Sequence, residues 1–327
     1  MRRTQIIGTG AYAPEKVVTN QDLEKIVETS DAWITERTGI RERRMAADGE
    51  QTSDMATKAA QRALEMSGTR AEDLDLIIVA TVTPDMPMPS CAVFVQAKLG
   101  AKKAFAFDVT AACAGSLYAM SIADQFIRAG TVKRALIVGV ELLTRIIDWE
   151  DRNSCVLFGD GAGAMVLGPC EDGERGILST HLHSDGTLAG ILQIPGGGSV
   201  HPQSEDVVKR KLHKVHMAGK DVYKVAVRAL PEAVLEALAH NHVQAKDITH
   251  VIAHQANLRI IESVMDRLEL PLERCWLNIA KYGNTSSASL PTTLDEANRA
   301  GKLKQGDLIA MMAIGGGMAW GSALVRW

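Results

Sequence analysis

The 327-residue sequence predicts an α/β fold built from two duplicated halves, residues 1–170 and 171–327. Three observations carry that reading. Short, continuously apolar, branched runs alternate with segments of helical spacing, as buried strands linked by helices do. The order of these segments repeats along the chain. A shift of 171 lays Ala129-Gly130-Thr131-Val132-Lys133 on Ala300-Gly301-Lys302-Leu303-Lys304, and a shift of 174 lays Asp73-Leu74-Asp75-Leu76-Ile77-Ile78 on Asp247-Ile248-Thr249-His250-Val251-Ile252. Finally, aromatics make up only 4% while glycines number 28, a composition suited to layers whose backbones approach closely.

In chain order, residues 4–9 read as a short buried strand. Thr19 or Asn20 can cap a helix through Leu23, Ile26 and Val27, and Ser30 can cap the next, which carries Trp33. Met55, Ala56, Ala59, Ala63 and Leu64 lie at helical spacing after Ser53, and Leu76–Ala80 reads as a buried strand. Pro84, Pro87 and Pro89 then impose an irregular extended loop. A strand at Phe105–Val109 leads directly into a helix from about Ala114 to Ala129, followed by a strand at Leu136–Val140. Gly159-Asp160-Gly161-Ala162-Gly163 precedes a strand at Ala164–Leu167.

Residues 169–220, rich in Gly, Pro, His and charge, read as a connection between the halves. The second half repeats the plan. It comprises a helix from about Asp221, a strand at Val251–Ala253, and a helix with Leu258, Ile261, Met265 and Leu268 on one face. A strand around Trp276–Ile279, a loop at Tyr282–Ser287, a helix to Arg299 and a strand at Leu308–Met312 follow. The turn Gly315-Gly316-Gly317 precedes a last strand, Ser322–Trp327.

Lys and Arg total 36 against 39 Asp and Glu, a formal charge of -3. That balance excludes a global basic field for nucleic acid, though not a local patch that steers an acidic partner. The five cysteines form no C-x-x-C pair, and no ligand cluster suggests a metal. The amino-terminal segment turns at Gly8 and Gly10 before a signal-like apolar run develops, and no stretch approaches a membrane span. A cytoplasmic protein is expected. Gly8-Thr9-Gly10 opens no G-x-G-x-x-G run, which argues against a dinucleotide oxidoreductase.

The repeat points to chemistry. Under the shift of 171 Cys113 falls on Asn284, and under that of 174 Ala80 falls on His254. Two helix starts and a strand end can then face one cleft, since ligands of α/β sheets bind at carboxyl ends of strands. At a helix start, unpaired N–H groups and the dipole favour a thiolate. A cysteine nucleophile can exchange one thioester for another. A neutral histidine and an asparagine amide can both donate to a developing oxyanion. Asparagine cannot serve as a base, so this is no Cys–His–Asp hydrolase. The glycine turn 315–317 can bring a backbone N–H beside the thioester carbonyl, with the Cys113 N–H as its partner.

These residues resemble a known family. Trp33 with Arg37-Thr38-Gly39-Ile40-Arg41, Asp108-Val109-Thr110-Ala111-Ala112-Cys113, Gly159-Asp160-Gly161-Ala162, His254-Gln255-Ala256-Asn257-Leu258-Arg259, Tyr282-Gly283-Asn284-Thr285-Ser286 and Gly315-Gly316-Gly317 occur in order, nearly end to end. The chain is similar to the beta-ketoacyl-[acyl-carrier-protein] synthase III family of the thiolase-like superfamily.

The resemblance implies a thiolase-like five-layered α-β-α-β-α fold and a homodimer. It implies that an acyl-CoA starter, acetyl-CoA by default, acylates Cys113. His254 and Asn284 would then support decarboxylation of malonyl-acyl-carrier protein, and the product would be a 3-oxoacyl-acyl-carrier protein that initiates fatty acid synthesis. Cys113 and Gly316 would form the oxyanion hole. Trp33 and Arg152 would hold the CoA adenine and Arg37 a CoA phosphate, while Lys224 and Arg259 would receive the carrier protein. Met88 would cross the dimer interface and help end the acyl pocket. No cofactor is implied beyond CoA and phosphopantetheine thioesters.

Two other readings remain at this point: a starter-unit ketosynthase or acyltransferase of a specialised pathway, and a non-catalytic acyl-carrier-binding protein. A degradative thiolase would need a second cysteine in the terminal glycine region, and none stands there.

Overall fold

The computed structural model describes residues 3–170 and 173–327. Its first sheet has five strands: β1 (Arg3–Tyr12), β2 (Leu76–Ala80), β3 (Phe105–Val109), β4 (Ala135–Glu141) and β5 (Gly161–Cys170), in the order β1-β5-β4-β2-β3. Strand β2 runs parallel to β3 and β4, and β5 runs antiparallel to β4 and β1. The second sheet has β6 (Gly176–Ser184), β7 (His250–Ala253), β8 (Leu308–Gly315) and β9 (Ala319–Arg326), in the order β7-β8-β9-β6. Strands β7 and β8 are parallel, and β9 is antiparallel to β8 and β6. The two sheets therefore repeat one topology.

Alternation along the strands builds the layers. Leu76, Ile78 and Ile137 of the first sheet, with Ile309 and Met311 of the second, point to a shared central core. Two helices fill that core, α4 (Gly115–Arg128) and α7 (Ser289–Arg299), through residues such as Leu117, Met120, Leu290 and Leu294. Ile77, Val79, Leu136 and Val138 point outward against α2 (Thr52–Ser67) and α3 (Cys91–Leu99). Leu308, Ala310 and Met312 point outward against α5 (Gly219–His240) and α6 (Leu258–Arg267). The stack is helices, sheet, helices, sheet, helices: the expected five layers.

Four expectations need correcting. The first-half helix expected through Val27 stops at Leu23, while the next helix, α1 (Asp31–Thr38), is capped by Ser30 as expected, its side chain accepting from the Trp33 N–H at 3.1 Å. The connection 169–220 contains β6, a nine-residue strand of the second sheet, whose Gly, His and Ser residues gave no clean alternation. The strand expected at Trp276–Ile279 is reduced to one bridge between Val251 and Cys275. Gln255 takes the ladder's place there: its amide donates to Trp276 O and accepts from the Asn278 and Ile279 N–H groups, at 3.1–3.2 Å.

The fourth correction concerns the repeat. The starts of α4 and α7 differ by 174 residues and their ends by 171, because α4 has 14 residues and α7 has 11. Both shifts are therefore real, one at each end of the central helices. A short turn precedes each helix, and Ala112 (φ 45°) and Ser286 (φ 51°) open these turns with matching left-handed backbone. Cys113 is thus the counterpart of Ser287, and Asn284 lies three residues upstream.

Candidate active site

Each site residue sits where a regular element ends. Cys113 lies in the turn between β3 and α4, and β3 is held at its end by Asp108. The Asp108 carboxylate accepts from the Cys91 and Ala92 N–H groups at 2.6 and 2.8 Å, capping α3. His254 follows β7, its N–H donating to Met312 O of β8. Asn284 stands before the turn into α7, its N–H donating to Leu157 O. Gly315 ends β8 against the nucleophile, where a Cβ would collide with the Cys113 backbone nitrogen. That close approach requires glycine. The Gly159-Asp160 motif is structural: the Asp160 carboxylate ties the Ala46 N–H to the Thr144 N–H and hydroxyl.

Cys113, His254, Asn284, Trp33 and Arg37 all line one cavity of about 490 Å³. A second, largely apolar cavity of about 240 Å³ adjoins it at Cys113 and is lined by Gly316, Val82, Leu143, Ile146 and Val215. At the mouth, the Arg37 and Arg152 guanidinium carbons lie 4.7 and 4.9 Å from the Trp33 ring centre. Arg259 is exposed at the start of α6, which packs against α1. Lys224 is exposed on α5, paired with Asp221 at 3.0 Å, and does not reach the cavity wall; Lys220, one turn earlier, does. Met88 lies away from the cavity and is 84% exposed. A wider depression elsewhere is lined by Tyr12, Glu50 and Lys58, which satisfy one another.

Burial sets the protonation states. It pushes the Cys113 thiol up to about 12, against a smaller downward pull from the Ser286 hydroxyl. The expected thiolate at a helix start is therefore not the resting form, because desolvation outweighs the positive potential of the turn. Burial likewise pushes His254 down to about 3, so the imidazole is neutral at physiological pH.

Hydrogen bonds orient the two donors. Ser289 Oγ accepts from the Gln255 N–H at 3.2 Å, which leaves its own O–H to donate to His254 Nδ1 at 2.5 Å. The ring proton then resides on Nε2. Asn284 Oδ1 accepts from the Ser286 N–H at 2.8 Å, which fixes the amide orientation and leaves its NH₂ to donate. The arrangement is a neutral thiol facing two neutral donors, beside an apolar chamber.

Sequence reasoning missed Ser286, Ser289, Lys220 and Glu141. The serines lie in a run that reads as helix capping, and Glu141 closes an apolar strand where a solvated end is the ordinary expectation.

Residues 107–186 match the 3-oxoacyl-[acyl-carrier-protein] synthase III family, and residues 238–327 match its C-terminal region. The chain is 51% identical to the beta-ketoacyl-[acyl-carrier-protein] synthase III of Caldanaerobacter subterraneus subsp. tengcongensis, over 98% of this chain and 97% of that one. The crystal structure of 3-oxoacyl-[acyl-carrier-protein] synthase III from Aquifex aeolicus VF5 superposes with a TM-score of 0.92 at 48% identity, covering 99% of this chain and 100% of that one. The priming beta-ketosynthase of the R1128 polyketide pathway gives the same TM-score at 35% identity, covering 99% and 96%.

Proposed function

The chain belongs to the beta-ketoacyl-[acyl-carrier-protein] synthase III family, and from that premise we propose that Cys113 carries the acyl group of its condensation. The enzyme is a condensing acyltransferase that joins an acyl-CoA to malonyl-acyl-carrier protein, giving a 3-oxoacyl-acyl-carrier protein, CoA and carbon dioxide. The convergence of Cys113, His254 and Asn284 on one cavity is the observation that supports the residue roles.

In the first half-reaction the Cys113 sulfur attacks the acyl-CoA carbonyl. The Cys113 and Gly316 N–H groups receive the oxyanion, and CoA leaves. The acyl chain occupies the apolar chamber beside Cys113. In the second, the malonyl thioester carbonyl lies between His254 Nε2–H and the Asn284 NH₂. As carbon dioxide departs, the electron pair moves toward that oxygen and both donors stabilise the enolate. The enolate carbon attacks the Cys113 thioester, and collapse releases the sulfur. Neutral donors suit this step, because an imidazolium would protonate the enolate it should stabilise.

Trp33 and Arg152 form a ring-and-guanidinium pair that an adenine can enter, and Arg37 lies within reach of a phosphate. Arg259, Lys220 and Lys224 supply positive charge around the mouth for an acidic carrier. A homodimer is the assembly we propose. Strand β3 is a sheet edge whose Phe105 is 47% exposed and stacks on Phe107, an apolar edge that a second copy can cover. Met88 of that second copy would then help end the acyl chamber, as an adaptable side chain. No helix among the described residues is long and apolar enough to cross a membrane.

Acetyl-CoA is the default starter, and priming of a specialised pathway is the second reading, supported by the likeness to the R1128 priming ketosynthase. A panel of acetyl, longer and branched acyl-CoA, with carbon dioxide and 3-oxoacyl product detected together, tests both. Acyl uptake without carbon dioxide release would reject condensation.

A further inference from the structure

A buried thiol pushed up to about 12 needs a base, and the histidine beside it is a poor one because burial has pushed it down to about 3. Behind Cys113 stands a carboxylate that the condensation leaves unused. Glu141 ends β4 with no solvent exposure, and Ser286 links it to the nucleophile. Ser286 shares the wall of the apolar chamber with Cys113, its hydroxyl pulls the thiol down, and it donates to Glu141 Oε1 at 3.2 Å. With that O–H directed at the carboxylate, the Ser286 oxygen is free to accept the thiol proton. The left-handed backbone of Ser286 (φ 51°), held by the Asn284 side chain, places the hydroxyl between the two groups. A non-glycine residue in this region stores strain that commonly accompanies function.

We propose that Ser286 and Glu141 form a buried relay that takes the Cys113 proton during acylation and returns it when condensation frees the sulfur. The inference rests on Cys113 being the acyl carrier. As the S–C bond forms, the thiol proton passes to Ser286 and the Ser286 proton to Glu141. The acyl–S bond of acyl-CoA breaks, and the CoA thiolate takes a proton from water at the cavity mouth. Glu141 keeps its proton while the acyl-enzyme waits. When the tetrahedral adduct of the condensation collapses, the departing Cys113 thiolate recovers that proton through Ser286. The cycle thus consumes one solvent proton, which ends on CoA, and the malonyl carboxylate leaves as carbon dioxide.

The surroundings suit a group that holds a proton reversibly. Thr83 Oγ1 donates to Glu141 Oε2 at 2.7 Å, and the Val82 N–H approaches the same oxygen at 3.2 Å. These contacts support the carboxylate. The Ser287 hydroxyl, 3.2 Å from Oε1, instead donates to Ala80 O at 2.7 Å, so it can accept from a protonated Glu141. Burial raises Glu141 to about 7 against these donors, so both forms are populated near neutrality.

The groups facing it are hydroxyls from the segment after β2 and the turn before α7, with Cys113 from the turn before α4. Strand β5 presents Gly161 opposite, and Asp160 beside it is engaged by Ala46 and Thr144. Among the described residues no cation pairs with Glu141, so its titration is coupled chiefly to the thiol.

The test is single-turnover acylation by acetyl-CoA, followed by quenched intact-protein mass spectrometry from pH 5.5 to 9.5, on wild type, Glu141→Gln and Ser286→Ala. Wild-type acylation should rise through about pH 7 and then level off. Both variants should fall on the order of 100-fold at pH 7.5, within the usual range for general-base catalysis. They should also lose the plateau, climbing in proportion to hydroxide, with half-saturation by acetyl-CoA unchanged. Should Glu141→Gln not fold, Ser286→Ala alone decides, since it breaks the link and keeps the carboxylate. Wild-type rates and plateau in either folded variant overturn the relay. Absence of any Cys113 adduct in the wild type would instead overturn the acyl-carrier reading itself.

Discussion

Ser289→Ala isolates the orientation of the histidine from its presence. In the structure the Ser289 hydroxyl donates to His254 Nδ1 at 2.5 Å and accepts from the Gln255 N–H at 3.2 Å, all three groups being buried. Removing it leaves the Gln255 N–H unsatisfied, which costs about 1–3 kcal/mol of stability. It also frees the imidazole to carry its proton on Nδ1, where it cannot donate to the malonyl carbonyl. A neutral hydrogen bond worth about 1 kcal/mol biases the two tautomers roughly fivefold, which sets the smallest expected effect. Complete loss of one oxyanion donor costs about 3–4 kcal/mol, or roughly 100- to 1000-fold, which sets the largest.

Malonyl decarboxylation should therefore fall between these limits, while acyl uptake by Cys113 changes by no more than about twofold. Rapid-quench mass spectrometry follows both steps in one experiment: the acyl adduct appears with acyl-CoA and disappears on adding malonyl-carrier protein. An undiminished second step would refute the argument that Ser289 sets the tautomer. Equal loss of both steps would show that Ser289 supports the site as a whole rather than the histidine.

His254→Ala should still take up the acyl group and lose malonyl decarboxylation; normal condensation by that variant, measured as carbon dioxide release, would remove His254 from the mechanism. The same residue shapes stability in acid. Its folded value of about 3 lies below the ordinary 6.5, so the unfolded chain binds more protons between these limits and stability falls as pH drops through them. At pH 5 the loss relative to pH 8 is about 2 kcal/mol, and urea titrations of wild type and His254→Ala at both pH values should converge by that amount at pH 5. An identical gap at both would contradict the buried neutral imidazole. Phe105→Asp places a charge on the exposed edge of β3 and should yield monomers in light scattering behind size exclusion; an unchanged dimer would move the interface elsewhere.

Much of this architecture was legible because its signals are local. Leu76–Ala80 and Leu308–Met312 are apolar enough to declare buried strands, and the repeat located two equivalent helices before any contact was known. That Cys113, His254 and Asn284 would share one cavity was legible partly from their places at strand ends and helix starts, and chiefly from the ordered motifs of the family they resemble.

What escaped depends on tertiary surroundings. Burial, not the helix start, sets the state of Cys113, and no spacing reveals desolvation. Glu141 resembles the solvated end of a strand until the turn before α7 closes over it. The missing second-sheet strand is replaced by a single Gln255 side chain, whose bonds cross more than twenty residues. The offset of Cys113 from Asn284 could be resolved only once α4 proved one turn's worth of residues longer than α7.

Every step proposed for the site depends on Cys113 bearing the acyl group. Intact-protein mass spectrometry of wild type and Cys113→Ser, each incubated with acetyl-CoA and then mapped by peptide, tests it most directly. One acetyl adduct is expected on wild type, located at Cys113 and discharged by malonyl-carrier protein, and none on the variant. The same dischargeable adduct on Cys113→Ser, or its location at another residue of the wild type, would contradict it.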